Sequence, residues 1–143
     1  PPHLSVRLVD DGSTWAAFDE LNRVDALEQG WDQATTRQLV DLCHWRAANT
    51  SHHYYVASEP GRVVAYVGVY QAGTTAYVHS LFTHPAARGK GVGASLMLAV
   101  SDRGHAMGCQ RVTLECARDS RLPAYYAGLG FRTVGEEWVW TKP

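Results

Sequence analysis

Read for its apolar and polar positions, the chain opens on Leu4-Ser5-Val6-Arg7-Leu8-Val9, an alternating run that predicts a short strand ended by Asp10-Asp11-Gly12. Ser13 or Thr14 is placed to cap a helix, with Trp15, Phe18, Leu21, Val24 and Leu27 as a broad apolar stripe and Gly30 as its stop. A second helix is expected from Ala34 or Thr35, carrying Leu39, Leu42, Cys43 and Ala47 on one side and closing at Asn49-Thr50-Ser51. Tyr54 to Ser58 and Arg62 to Tyr70 read as two strands joined by Glu59-Pro60-Gly61, whose proline and glycine preset a turn. After Gln71-Ala72-Gly73-Thr74 a third strand runs from Thr75 to Thr83 and stops at His84-Pro85, since proline has no N–H for a ladder.

The pattern then changes from strand to helix. Arg88-Gly89-Lys90-Gly91-Val92-Gly93-Ala94-Ser95 passes into Leu96-Met97-Leu98-Ala99-Val100, and the helix should end near Met107-Gly108. Gln110 to Cys116 is the next strand, which requires a parallel crossover to the preceding sheet. A short helix from Ser120 to Leu129 stops at Gly130, and Phe131-Arg132-Thr133-Val134 with Trp138-Val139-Trp140 reads as a final, bulged strand. The sum is one α/β domain over residues 1–143, with four helices and a mixed sheet of six or seven strands in the order β-α-α-β-β-β-α-β-α-β.

The glycine-rich turn carries the first chemistry. A helix N-terminus presents unpaired N–H groups and the positive end of the dipole, and glycines let a bulky anion approach those amides. Arg88 and Lys90 add two positive charges, so a pyrophosphate is the expected ligand, although a glycine cluster can also be no more than a tight turn. A P-loop needs Ser or Thr after Gly-Lys, and Gly91 stands there instead. Gly89, Gly91 and Ala94 with Glu115 do match a dinucleotide fingerprint, but that motif normally follows the first strand of its fold, and here most of the chain precedes it.

Arg88-x-x-Gly91-x-Gly93 after a strand ending in His-Pro resembles the acetyl-CoA pyrophosphate loop of the GNAT family of N-acetyltransferases. Ala124-Tyr125-Tyr126-Ala127-Gly128-Leu129-Gly130-Phe131 is similar to that family's second motif, and together the two cover the C-terminal half. The resemblance implies a fold with a cleft, between the strand ending at Thr83 and the one after the main helix, that takes the pantetheine arm. It implies acetyl-CoA as cosubstrate, held by Leu81, Phe82, Thr83, Arg88, Gly89, Lys90, Gly91, Val92, Gly93, Ala94, Asp119 and Tyr126. It further implies transfer of an acetyl group to an unidentified primary amine by direct attack in a ternary complex.

Such a transfer benefits from a base, because an alkyl ammonium of pKa about 10.4 is neutral in only about one molecule in a thousand at neutral pH. His79 stands where many relatives carry a glutamate, and its imidazole suits proton removal directly or through water; a packed strand histidine is the structural alternative. A backbone N–H at Leu81 or a neighbour would stabilise the charged thioester oxygen. Tyr126, four residues before Gly130, is the expected acid for the leaving thiolate, with Tyr125 read as core. Asp119 replaces a frequent asparagine and also suits a helix cap; Glu115 either orients a cationic acceptor or is solvated. Trp31, Asp32, Trp45 and His52-His53 lie in the segment that usually shapes the acceptor site, although Trp15 and Trp45 also suit a core and the histidines a solvated strand end.

Bulk properties narrow the rest. A formal net charge of −1 gives no field for nucleic acid, and no apolar run approaches a membrane span of about 20 residues. Cys43, Cys109 and Cys116 show no disulfide or metal spacing, so reduced thiols and a cytoplasmic location are expected. Pro1-Pro2-His3 lacks the features of a signal peptide, and the missing initiator Met implies trimming or a longer chain. Strand edges and five tryptophans are compatible with a homodimer. A non-catalytic CoA-binding domain of the same fold and a nicotinamide-dependent enzyme remain as alternatives.

Overall fold

The computed structural model describes residues 4–138 and 140. The elements are β1 (Ser5–Leu8), α1 (Gly12–Gln29), α2 (Gln33–Asn49), β2 (His52–Glu59), β3 (Arg62–Ala72), β4 (Thr75–Thr83), α3 (Val92–Ala106), β5 (Arg111–Leu114) and α4 (Leu122–Gly128), with a 3-10 turn over Pro85–Ala87. The five strands form one sheet in sequence order, antiparallel from β1 to β4, with β5 parallel to β4 through the α3 crossover. Four of the five strands are thus antiparallel neighbours, β2, β3 and β4 being joined by turns and β1 leading to β2 through α1 and α2, which a dinucleotide fold built from parallel βαβ units does not allow.

Each face of the sheet has its own core. Val67, Val69, Ala76 and Val78 meet Val92, Leu96, Met97 and Val100 of α3 on one side, with Tyr126 of α4 in the same cluster. On the other, Tyr54, Val56, Tyr66 and Phe82 meet Phe18 and Leu21 of α1, with Cys43 and Ala47 of α2 against them. The period-2 alternation of the strands sends neighbouring residues to these two layers. Among the described residues, no helix is long and apolar enough to cross a membrane.

Several local expectations are corrected. Asp11, not Ser13 or Thr14, caps α1: its carboxylate accepts from the Thr14 N–H at 2.7 Å, and the Thr14 hydroxyl accepts in return from the Asp11 N–H at 3.1 Å. Leu27 drops out of the apolar stripe and is exposed, because the buried face of α1 ends at Ala26 where the helix runs past the sheet. Trp45 likewise faces solvent, at 57% exposure. α4 starts at Leu122, and Asp119 does not cap it; the Ser120 hydroxyl accepts from the Leu122 N–H at 3.2 Å instead.

The final strand is the larger correction. Residues 131–138 and 140 are irregular, so the sheet of the described residues has five strands rather than six or seven. Val134, Trp138 and Trp140 have the residue types of a strand but lie exposed, with no strand paired to them. Gly135-Glu136-Glu137 interrupts the run, and strand propensity without a packed face does not hold a ladder. Val139, assigned to the same strand, lies outside the described residues.

Candidate active site

The site is built where β4 loses its neighbour. β5 pairs with β4 only from Thr75 to Val78, ending at Leu114, while β4 continues to Thr83. From His79 onward β4 keeps β3 on one side, and among the described residues no strand covers the other. The two strands between which the cleft is expected therefore stop pairing after Val78 and Leu114.

A β-bulge sits at that point. Gly68 pairs with His79 and Tyr66 with Phe82, so β3 spends one residue, Val67, where β4 spends two, Ser80 and Leu81. Ser80 has φ +53°, and among the described residues it is the one non-glycine in the left-handed region. The extra residue sends Leu81 to the α3 layer and puts Phe82 in the α1 layer, on the face His79 already occupies. It also takes the N–H groups of Ser80 and Leu81 out of register. No strand pattern in the sequence announces this; a left-handed serine is chosen by the fit of the layers on either side of it.

The His79 ring lies flat against Gly68. A Cβ built on Gly68 would stand 2.4 Å from the ring Cε1, 2.7 Å from Nε2 and 2.9 Å from Nδ1, so only glycine leaves room for the imidazole. His52, Tyr54 and Tyr70 close in around it with ring centroids at 5.3, 5.9 and 6.0 Å. Nε2 is buried without a hydrogen-bond partner, and Nδ1 is 2.9 Å from the Ser80 hydroxyl oxygen. Burial, and then the positive charge available on His52 and Arg46, pushes the His79 pKa down to about 4. The imidazole is therefore neutral throughout the neutral range.

That shift has a consequence for stability. Between about pH 4 and the ordinary value of about 6.5 the unfolded chain binds a proton at His79 that the folded chain does not. The stabilisation is complete above pH 6.5 and is lost as the pH falls through 4, by about 3 kcal/mol. Thermal midpoints from pH 7.5 to 4.5 should fall on this side, and His79→Gln should remove most of the slope. His52, also pushed down by burial, accounts for part of what remains. An unchanged slope in His79→Gln would refute the burial argument.

Beyond Thr83 lies the glycine turn. Gly89 and Gly91 have φ +74° and +77°, and Gly91 occupies the N-cap of α3 with no side chain bonded to the helix amides. The contrast with α1 and α2 is instructive, because Asp11 and Asp32 fill those two caps with carboxylates. The first turn of α3 has no side-chain cap for its orphan amides, an arrangement that suits an outside anion. Asp32, proposed near an acceptor, is thereby occupied as a cap, accepting from the Thr35 N–H at 2.7 Å.

Arg88 is held rather than free. Its Nε donates to the Thr83 carbonyl at 3.0 Å, its two terminal nitrogens donate to the Glu28 carboxylate of α1, one of them at 2.6 Å, and the guanidinium stands 5.6 Å from the centre of the Phe82 ring. Sixty residues separate the pair, so Glu28 was invisible to motif reading. The bonds from Arg88 lower the Glu28 pKa. Phe82 and Val92 have buried side chains, so what they offer the cleft is backbone. Lys90 and Gly89 are exposed, and Ala94 and Thr83 are half-buried beside them.

The two tyrosines divide differently from expectation. Tyr126 is only 9% exposed and sits in the α3-side core, its ring edge-on to Phe131. Tyr125 is 37% exposed, and its hydroxyl lies 3.0 Å from where a Gly93 Cβ would be, with the Thr83 hydroxyl at 3.3 Å from the same point. Tyr125 thus packs against the first turn of α3, and Tyr126 is the core ring. Asp119 and Glu115 are exposed beyond β5, where the nearby Glu137 carboxylate raises the pKa of Glu115.

A groove of about 500 Å³ opens on the α1–α2 side, with Trp15, His44, His52 and Tyr54 among its walls. Trp15 stacks on His44 at 4.0 Å, and His44 Nε2 is 2.9 Å from Asp19 Oδ1. His52 stacks on Tyr70 and is shared by this groove and the His79 cluster, whereas the expected acceptor wall of Trp31 and Trp45 is open surface.

A mixed α/β sheet with a bulged strand, followed by an uncapped, glycine-opened helix N-terminus, is the arrangement that the resemblance to the N-acetyltransferases implies and is neither a P-loop nor a dinucleotide fold. A sequence profile of the Acetyltransferase (GNAT) family matches residues 15–131, and the chain belongs to that family. The solved structures it resembles include an acetyltransferase of Trypanosoma brucei at 19% identity, covering 97% of this chain and 99% of that one with a TM-score of 0.74. The AAC(6')-Iy structure in complex with the bisubstrate analogue CoA-S-monomethyl-acetylneamine shares 14% identity, with 99% of each chain covered and a TM-score of 0.78. Glucosamine-6-phosphate N-acetyltransferase of Arabidopsis thaliana shares 16% over 96% of this chain and 97% of its own, at 0.68. No curated protein matches the chain.

Proposed function

We propose that this protein transfers an acetyl group from acetyl-CoA to a primary amine by direct attack within a ternary complex. The observation that carries this reading is the α3 N-terminus: two left-handed glycines and no side-chain cap, at the end of the open edge of β4. Gly89, Lys90, Gly91, Val92, Gly93 and Ala94 would hold the pyrophosphate through backbone amides, with Arg88 and the Tyr125 hydroxyl alongside. The pantetheine arm would run along Leu81, Phe82 and Thr83, adding its amides to the unpaired β4 edge as a strand would, with Asp119 near its path.

The thioester carbonyl then meets the bulge, where the Leu81 N–H stabilises the oxyanion. His79, neutral at neutral pH, removes the proton that the nitrogen sheds as the new C–N bond forms. Tyr126 protonates the departing thiolate, whose ordinary pKa near 8.5 makes this help modest. Glu115 with Glu137 places negative charge beyond β5 and would favour a cationic acceptor. Neighbouring structures of aminoglycoside and glucosamine-6-phosphate acetyltransferases support an amine acceptor without naming one.

The test is release of free CoA on mixing the protein with acetyl-CoA and a panel of amines, polyamines, aminoglycosides, amino sugars and peptides. Turnover with one class, reduced about a hundredfold in His79→Ala, is the expected result. Binding of acetyl-CoA with no turnover of any amine would instead indicate a CoA-binding domain of the same fold.

A further inference from the structure

We infer that Ser80 carries the proton between the acceptor amine and His79. This rests on the acetyl-transfer reading above and names a residue that neither the family match nor the sequence motifs assign. Three observations converge on it. Ser80 has a left-handed backbone, a conformation costly for a non-glycine residue that persists at functional sites where surrounding structure enforces it. Its hydroxyl oxygen is 2.9 Å from His79 Nδ1. It is exposed on the part of β4 that β5 leaves uncovered.

The burial of the imidazole decides which nitrogen does the work. Nε2 is buried with no hydrogen-bond partner, in a ring flanked by Tyr54, Tyr70 and His52, so substrate does not reach it. A lone pair there would face aromatic rings unsatisfied, whereas an N–H makes at least a weak contact with them. The neutral ring therefore keeps its proton on Nε2 and its lone pair on Nδ1, accepting from the Ser80 O–H. His79 then meets the cleft through Ser80.

In the step itself, the amine nitrogen forms its bond to the acyl carbon and gives one proton to the Ser80 oxygen. Ser80 passes its own proton to His79 Nδ1, so the hydroxyl ends as it began. The thioester C–S bond breaks, its electron pair leaves with sulfur, and the thiolate takes a proton from Tyr126 or solvent. No bond to Ser80 other than O–H changes.

Ser80→Gly and Ser80→Asn test this without collapsing the bulge, since both residues accept a positive φ. Each should lower kcat by about a hundredfold while the thermal stabilisation given by acetyl-CoA stays as in the wild type. Activity within about twofold of wild type in both variants, with His79→Ala still reduced about a hundredfold, would show that Ser80 only shapes the bulge. An acetyl group found on the protein by mass after mixing with acetyl-CoA alone, and absent from Ser80→Gly, would replace the relay by an acyl-serine. A wild type that turns over no amine overturns the transfer reading and this assignment with it, whereas intact turnover in the variants overturns this assignment alone.

Discussion

Gly68→Ala is expected to lower acetyl transfer by about a hundredfold and to destabilise the fold by about 1–3 kcal/mol. The new methyl carbon would lie within 2.9 Å of three atoms of the His79 ring, so the ring or the strand must shift. His52, Tyr54 and Tyr70 flank it, and Ser80 holds its remaining nitrogen. Either the strand pair separates at Gly68 or the imidazole swings out of the sheet face and leaves Ser80. A double variant separates the two losses. Gly68→Ala with His79→Ala removes both the clash and the base, so its thermal midpoint should recover part of the way while activity stays lost. Full activity in Gly68→Ala would mean that the position of the imidazole does not matter to turnover.

Arg88→Glu should abolish the thermal stabilisation that acetyl-CoA confers, and should also lower stability in the absence of ligand. The second effect follows because it sets two carboxylates together where Arg88 and Glu28 now pair. That pair is about two-fifths exposed on both sides, so solvent screens it and by itself it contributes little to stability. The charge-reversed double variant, Glu28→Arg with Arg88→Glu, distinguishes the two roles of the guanidinium. It restores the attraction between α1 and the loop but leaves a negative charge beside the proposed pyrophosphate site. Ligand-free stability should return to near the wild-type value while the response to acetyl-CoA remains absent. If the reversed pair regains that response, Arg88 serves only to tie α1 to the loop, and the amides of α3 hold the anion unaided.

The glycine loop was legible because everything that makes it is local. Three glycines in five positions, a proline that ends the strand before them and an apolar run after them specify strand, turn and helix from nearest neighbours alone. The hairpin of β2 and β3 was readable for the same reason, its turn residues being fixed by their own φ preferences. The C-terminal run failed because strand propensity is a preference for a half-buried pleated surface, and Val134, Trp138 and Trp140 have none to lie on. His79 could be singled out by its position before the loop, but not its state. A depressed pKa needs the neighbours that bury it, and Gly68, Tyr54 and His52 come from other strands.

Sequence by itself determined the order of elements from β1 to α4, the parallel crossover, the glycine-opened N-terminus of α3 and the family. These follow from residue type, period and short-range turn chemistry, which act within a few residues of chain. Tertiary structure alone decided that β5 stops opposite Val78, that β4 bulges at Ser80, that Glu28 reaches Arg88 and that Tyr126 rather than Tyr125 enters the core. Each of these depends on close packing between layers distant in sequence, where fractions of an ångström select the arrangement and no local pattern records it.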